Sequence, residues 1–167
     1  MSEQINFEPT PENTVKLLRI ILGALMLGVI VTGVFMLPSM LQKVQGAPGA
    51  INLIPILIAA GGLMASFIVP QVVLGNAIKT ASQGDPSQID RELLTAFTAS
   101  RITRGALLEG PAFLNIVMID PHRPYLHLGI VAILLAGIAF SIPSLSGLNE
   151  WLRIQKESLS MEPGSKD

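Results

Sequence analysis

The sequence predicts an all-α, polytopic membrane protein with four transmembrane helices in one bundle. Three observations predict it. Of 167 residues, 50% are hydrophobic and 14% are charged, against about 25% charged in average proteins. The apolar residues gather into runs long enough to cross a hydrocarbon layer about 30 Å thick. The basic residues cluster at alternate ends of those runs, as in chains oriented by the positive-inside rule.

Residues 1–14 form a polar tail carrying Glu3, Glu8 and Glu12. A secretory signal has positive charge there and a shorter apolar stretch. The run that follows, residues 15–37, bears only Lys16 and Arg19, at its start. It reads as a first span closed by Pro38. A Pro/Gly loop over 42–50 leads to a second span, 51–78, which contains Pro55 and Pro70. Such prolines are tolerated in membrane helices because neighbours satisfy the freed carbonyls.

A polar connector, 79–92, turns at Gly84-Asp85-Pro86-Ser87, and Ser87 or Asp90 is placed to cap the next helix. That helix is expected to begin near Asp90 and to hold the third span, 93–119. Its first part mixes Leu93, Leu94, Phe97 and Ile102 with Thr95, Thr98, Ser100 and Thr103. Its second part is apolar apart from Glu109 and Asn115. A short loop, 120–125, precedes the fourth span, 126–142, which at 17 residues is short enough to run on past Pro143. Residues 148–158 have apolar side chains at helical spacing, with Trp151 expected at the headgroup level. The tail, 159–167, is expected to be disordered. The membrane domain is thus one unit over 15–158.

With four spans, both termini and the middle connector share a side. That side holds Lys16, Arg19, Lys79, Arg91, Arg101, Arg104, Arg153, Lys156 and Lys166, and the other holds Lys43 and Arg123. This asymmetry puts both termini in the cytoplasm. The expected location is a multi-pass one, taken as a bacterial inner membrane. The alternative is three spans, with 93–119 lying on the membrane surface. Arg19-Ile20-x-x-Gly23-Ala24-Leu25-x-x-Gly28 also matches Arg101-Ile102-x-x-Gly105-Ala106-Leu107-x-x-Gly110 at a constant offset of 82. Either the two hairpins are parallel repeats, or a Gly/Ala/Leu-rich alphabet has matched by chance.

Glu109 is the residue that asks for an explanation. It lies about 10 Å along the helix from Ile102 and about 16 Å from Asp120, well inside the hydrocarbon. An ionised side chain there costs about 2.5–3.5 kcal/mol on insertion scales. Arg104 and Arg101 are five and eight residues back, whereas helical pairs form at three or four. Glu109 must therefore find a partner on another helix, reach water, or stay protonated. It is either an ion or proton carrier or a buried contact that fixes packing. Pro111 cannot donate to the carbonyl of Leu107 and is a candidate kink. The carbonyl it frees is near Glu109 in sequence, which suits a small polar site or a plain bend.

Arg101, Arg104, Leu108, Ala112 and Asn115 share a helical face, expected to be buried in the bundle or in a subunit interface, with Glu109 to one side. Both arginines can also snorkel to cytoplasmic phosphates. Gln71 and Asn76 are further polar residues, in the second span. Gly61, Gly62 and Ala65 there, and Gly23, Gly28 and Gly33 in the first span, let another helix approach closely. Asp120, His122 and His127 have no standard metal-ligand spacing. The chain has no cysteine, no phosphate-binding loop and no nucleophile–base constellation. The expectation is a non-enzymatic protein without metal or cofactor. Its net charge of −1 gives no reason to expect nucleic acid. Its partners would be the lipid bilayer and either further copies of itself or other membrane subunits.

Residues 61–119 contain Gly61-Gly62, then Gly75-Asn76, the polar turn 81–87, and Ala106-Leu-Leu-Glu109-Gly-Pro-Ala112-Phe. This stretch resembles the helical hairpin of the rotary ATP synthase proteolipid, the c subunit. The resemblance covers about a third of the chain. It implies a cytoplasmic loop and a membrane carboxylate, Glu109, that carries the transported ion. The loop lacks that family's basic residue before its polar-Pro pair, the alternating glycines are absent, and two further helices flank the hairpin.

Overall fold

A computed structural model of the chain describes residues 10–42, 52–82 and 88–161. Among these there is no strand. Five helices follow in order: α1 Pro11–Leu41, α2 Ile54–Ser82, α3 Ile89–Val117, α4 Pro124–Ser141 and α5 Leu145–Met161. Three of them, α1, α2 and α4, are long and apolar enough to cross a membrane. Residues 43–51, 83–87 and the two ends, including the positions read as a loop and a turn, lie outside the described residues.

The helix bounds differ from those expected, and each difference has a local cause. α1 starts in the polar tail because Thr10 and Pro11 make a start signal: Thr10 Oγ1 accepts from Asn13 N at 3.3 Å, and proline suits the first helical position. At its other end α1 passes through Pro38. α2 and α3 extend into the polar connector, because helix propensity there does not depend on apolar character. Asp90 is no cap; it sits in the first turn of α3, whose cap is Gln88, without a side-chain bond. Ser87 lies outside the described residues. α4 begins at Pro124 and stops before Pro143, contrary to the expected run-on. The residue before a proline is pushed out of the helical region, and Ile142 is extended at φ −69°, ψ 117°. α5 includes residues 159–161, expected to lack order, since its exposed face is tied by Arg153 to Glu150 at 2.6 Å and to Glu157 at 3.3 Å. Exposed Glu150 is held below the usual carboxylate range, by the hydrogen bond from Arg153 and then by its charge.

α3 is the axle of the fold. α1, α2 and α4 all pack on it, while α1 and α2 scarcely meet each other. α1 runs parallel to α3: a Cβ on Gly105 would lie 2.6 Å from Leu22 Cδ2, and one on Gly33 would lie 3.5 Å from Ile116 Cδ1. Each of those pairs is 83 residues apart, within one residue of the repeat offset. The matched segments therefore lie side by side. α2 runs antiparallel, tied by Ser100 Oγ donating to Pro70 O at 3.2 Å and Asn115 Nδ2 donating to Pro55 O at 3.1 Å. α4 is antiparallel too, with Gly137 against Leu108 and His127 against Asn115. α5 continues this line past the break at Pro143, so that Lys156 reaches Asp90 at 2.6 Å.

Two apolar clusters hold the bundle. One joins α1, α3 and α4 through Leu22, Val29, Leu108, Ile116, Leu134 and Ile138. The other joins α1, α3 and α5 through Val15, Leu18, Leu93, Phe97, Leu148 and Leu152. The outward surface is apolar as well: Ile20 is 70% exposed, Phe35 78% and Phe140 84%. A water-soluble chain rarely exposes large apolar side chains over so wide an area. The least apolar of the first four helices is thus jacketed by the three most apolar.

Candidate functional site

α3 carries most of the polar candidates, and its helical spacing sends them in different directions. Ser100, Arg104, Leu107 and Pro111 turn toward α2. Leu108, Ala112 and Asn115 turn toward α4 and are buried, whereas Arg101 and Arg104, read onto the same face, are only half-buried. Gly105, Glu109, Phe113 and Ile116 turn toward α1. What remains is an uncovered stripe between α1 and α2: Thr95, Ala99, Ala106, Gly110 and Val117 are exposed.

Glu109 stands at the edge of that stripe, half-buried, with Oε1 3.9 Å from where a Cβ on Gly28 would lie. Among the described residues it has no hydrogen-bond or ion-pair partner. The carbonyl freed by Pro111 is elsewhere. Gly62 of α2 covers it so closely that a Cβ would lie 2.8 Å from Leu107 O and 2.5 Å from Pro111 Cγ. Leu107 and Glu109 are two residues apart and so point roughly 200° apart around the helix. That carbonyl and the Glu109 carboxylate therefore do not form a shared polar site, one of the two readings the sequence left open. α3 is continuous through Pro111.

Asn115 belongs to a second, fully buried polar group. Its Nδ2 donates to Pro111 O at 2.9 Å and to Pro55 O at 3.1 Å. Both amide hydrogens being used, Oδ1 is the acceptor facing His127 Nδ1 at 3.1 Å. His127 must therefore carry its proton on Nδ1. The sequence reading missed this pair, although a signal was present. Both residues lie six positions from Pro121, which an antiparallel hairpin turning there brings level. Asp120 Oδ1 accepts locally from the backbone N–H of His122 at 2.9 Å.

Gln71, Arg101 and Arg104 meet in a third place. They line a cavity of about 160 Å³ between α2, α3 and α5, together with Ser66, Ser100 and Trp151. Arg101 Cζ lies 4.9 Å from the Phe97 ring centre and Arg104 Cζ 4.8 Å from that of Phe67. Trp151 is half-buried, its ring 5.0 Å from Phe97. The candidates thus sort into three locations along one helix. Among the described residues, no group of three or more acidic, histidine or cysteine side chains could hold a metal ion.

Comparison with protein-family models, curated proteins and solved structures gave no match. The likeness of residues 61–119 to the proteolipid hairpin rests on its short motifs alone.

Proposed function

We propose that this chain is a non-enzymatic membrane protein of four spans that assembles with another transmembrane helix, from a second copy or a partner subunit. The incoming helix packs on the open stripe of α3. The observation that carries this reading is Glu109, unpaired at the edge of an uncovered strip of small residues. Small residues let helix backbones approach closely in lipid, where packing and interhelical hydrogen bonds drive association. A carboxyl group at that depth needs a partner or a proton. One further helix supplies both missing elements, a cover for the stripe and a hydrogen-bond partner for Glu109. The central packing of α3 among three apolar helices supports its crossing the membrane with them.

The test compares three variants by native mass spectrometry in mild detergent. A Cβ on Gly110 meets nothing within 4 Å, so Gly110→Leu should leave the single chain folded and reduce the oligomer. Glu109→Leu should weaken assembly, and Glu109→Gln should preserve it if the acid is normally protonated. An unchanged oligomer profile in Gly110→Leu and Glu109→Leu together would remove the assembly role. The masses also distinguish a second copy from a foreign subunit.

The same lack of a partner favours a second reading, in which Glu109 exchanges an ion or proton in mid-membrane. A carrier carboxylate should react with a hydrophobic carbodiimide in a pH-dependent way in intact bilayers. Inertness from mildly acidic to mildly alkaline pH would count against it.

A further inference from the structure

We propose that the cavity between α2, α3 and α5 is a binding site for a phosphate group bearing net negative charge, the headgroup phosphate of an anionic phospholipid being the expected source. Two guanidinium groups, one helical turn apart, converge on a space of about 160 Å³ whose lining contains no carboxylate. Among the described residues neither Arg101 nor Arg104 has an ion-pair or hydrogen-bond partner, and Arg104 Nε is buried without one. Two like charges held this close, without a counter-charge, are repulsive unless an anion sits between them.

Aromatic stacking positions both groups for that role. Arg101 lies over Phe97 and Arg104 over Phe67, at 4.9 and 4.8 Å. Stacking engages the guanidinium face and leaves the in-plane N–H groups free to donate. The fork of an arginine matches two phosphate oxygens, where a lysine would offer only a point charge. Ser66 and Ser100 do not compete as donors. Their hydroxyls donate to Leu63 O at 2.7 Å and Pro70 O at 3.2 Å. Gln71, exposed at the rim, adds an amide donor.

The place in the bundle selects the ligand. Arg101 is 16 residues from the end of α3 at Val117, about 24 Å along the helix. On the membrane reading this puts the cavity at one headgroup boundary of a hydrocarbon layer about 30 Å thick. Trp151 borders it there, a residue type favoured at that level. The inference rests on the membrane reading but not on assembly through the open face of α3.

The full-length protein, reconstituted in nanodiscs of mixed phosphatidylglycerol and phosphatidylcholine and released gently, is examined by native mass spectrometry. Wild type should retain phosphatidylglycerol well above its share of the mixture. Each of Arg101→Gln and Arg104→Gln should reduce that retention about tenfold, the loss of one charge-assisted contact. Arg19→Gln removes a charge outside the cavity lining and should change nothing. Gln71→Phe fills the rim from an exposed position without altering charge, so it tests the cavity even if an arginine variant fails to fold. A parallel titration of lipid-poor protein with inorganic phosphate separates the sources. Saturable, arginine-dependent phosphate binding without lipid preference would assign a soluble phosphate ligand to the same site. Equal retention by wild type, both arginine variants and Gln71→Phe, with no phosphate binding, would overturn the proposal. Recovery in the membrane fraction is scored separately, so failure of the membrane reading is recognised as such.

Discussion

At the residue scale, Asn115 does more for the fold than Glu109 does. Its amide satisfies a carbonyl of its own helix and one of α2, and its oxygen fixes the proton of His127 on Nδ1. One side chain therefore ties α2, α3 and α4 together at one end of the bundle, while Ser100 ties α3 to α2 near the other. Truncating one member leaves its buried partners without bonds, which costs about 1–3 kcal/mol. Asn115→Leu should therefore lower the thermal midpoint in detergent clearly, by that order of stability, while Glu109→Gln should leave it unchanged. Monitoring monodispersity after heating checks this, and a wild-type midpoint for Asn115→Leu would show that the Asn115 hydrogen bonds are incidental. The prominence of Glu109 in the sequence came from its charge, its depth in an apolar run and the absence of a cation three or four residues away. Asn115 was legible as a polar residue in an apolar run, but its partner was not, because an imidazole signals function only once the hairpin register is known. The arginines were legible as interfacial cations. Their meeting with Gln71 was not, because it depends on the register in which α2 packs on α3, set there by the Ser100–Pro70 bond.

At the scale of elements, the helices were legible and their ends were not. Apolar runs report where a helix contacts lipid or core, not where its hydrogen-bond ladder begins and stops. Hence α1 reaches back to Pro11, and α2 extends to Ser82, through polar sequence. The Pro143 break was present in the sequence, yet the shortness of the fourth run argued the other way; the backbone restriction on Ile142 decided it. Of the glycines expected to admit a close helix, Gly28, Gly33 and Gly62 do so, whereas a Cβ on Gly23 or Gly61 would meet nothing within 4 Å, because spacing alone does not give direction. Gly62 presses on the rigid ring of Pro111 and on a backbone oxygen, whereas a Cβ on Gly110 meets nothing. Gly62→Ala must separate α2 from α3, and overpacking of this kind costs about 1–3 kcal/mol. Gly110→Ala should be neutral or stabilise the single chain by up to about 1 kcal/mol through helix propensity. Thermal unfolding of the two variants side by side tests the direction of each glycine. Equal effects would mean that α2 and α3 are not packed in this register.

At the scale of the whole molecule, polarity is arranged inside out relative to a soluble bundle. Of the first four helices, the least apolar, α3, sits at the centre, and the outer surfaces of α1, α2 and α4 are apolar. Such an arrangement suits a solvent of acyl chains, in which a helix bearing Arg101, Arg104, Glu109 and Asn115 is best shielded by protein. The alternative with residues 93–119 on the membrane surface would expose α3 to headgroups along its length. It is hard to reconcile with the burial of Leu108, Ala112 and Asn115 against α4. The two arrangements differ in one readily measured respect. Four spans leave residues 12 and 158 on the same side and Arg123 opposite. Three spans keep residues 12 and 123 together and send residue 158 across. The chain has no cysteine, so single cysteines can be introduced without background. In intact bacterial cells, a membrane-impermeant maleimide should label Arg123→Cys, and should label Glu12→Cys and Ser158→Cys only after permeabilisation. Labelling of Ser158→Cys in intact cells, with Arg123→Cys protected, would establish three spans. It would also detach Arg101 and Arg104 from the membrane depth assigned to them here, because α3 would then run along the surface rather than through the layer.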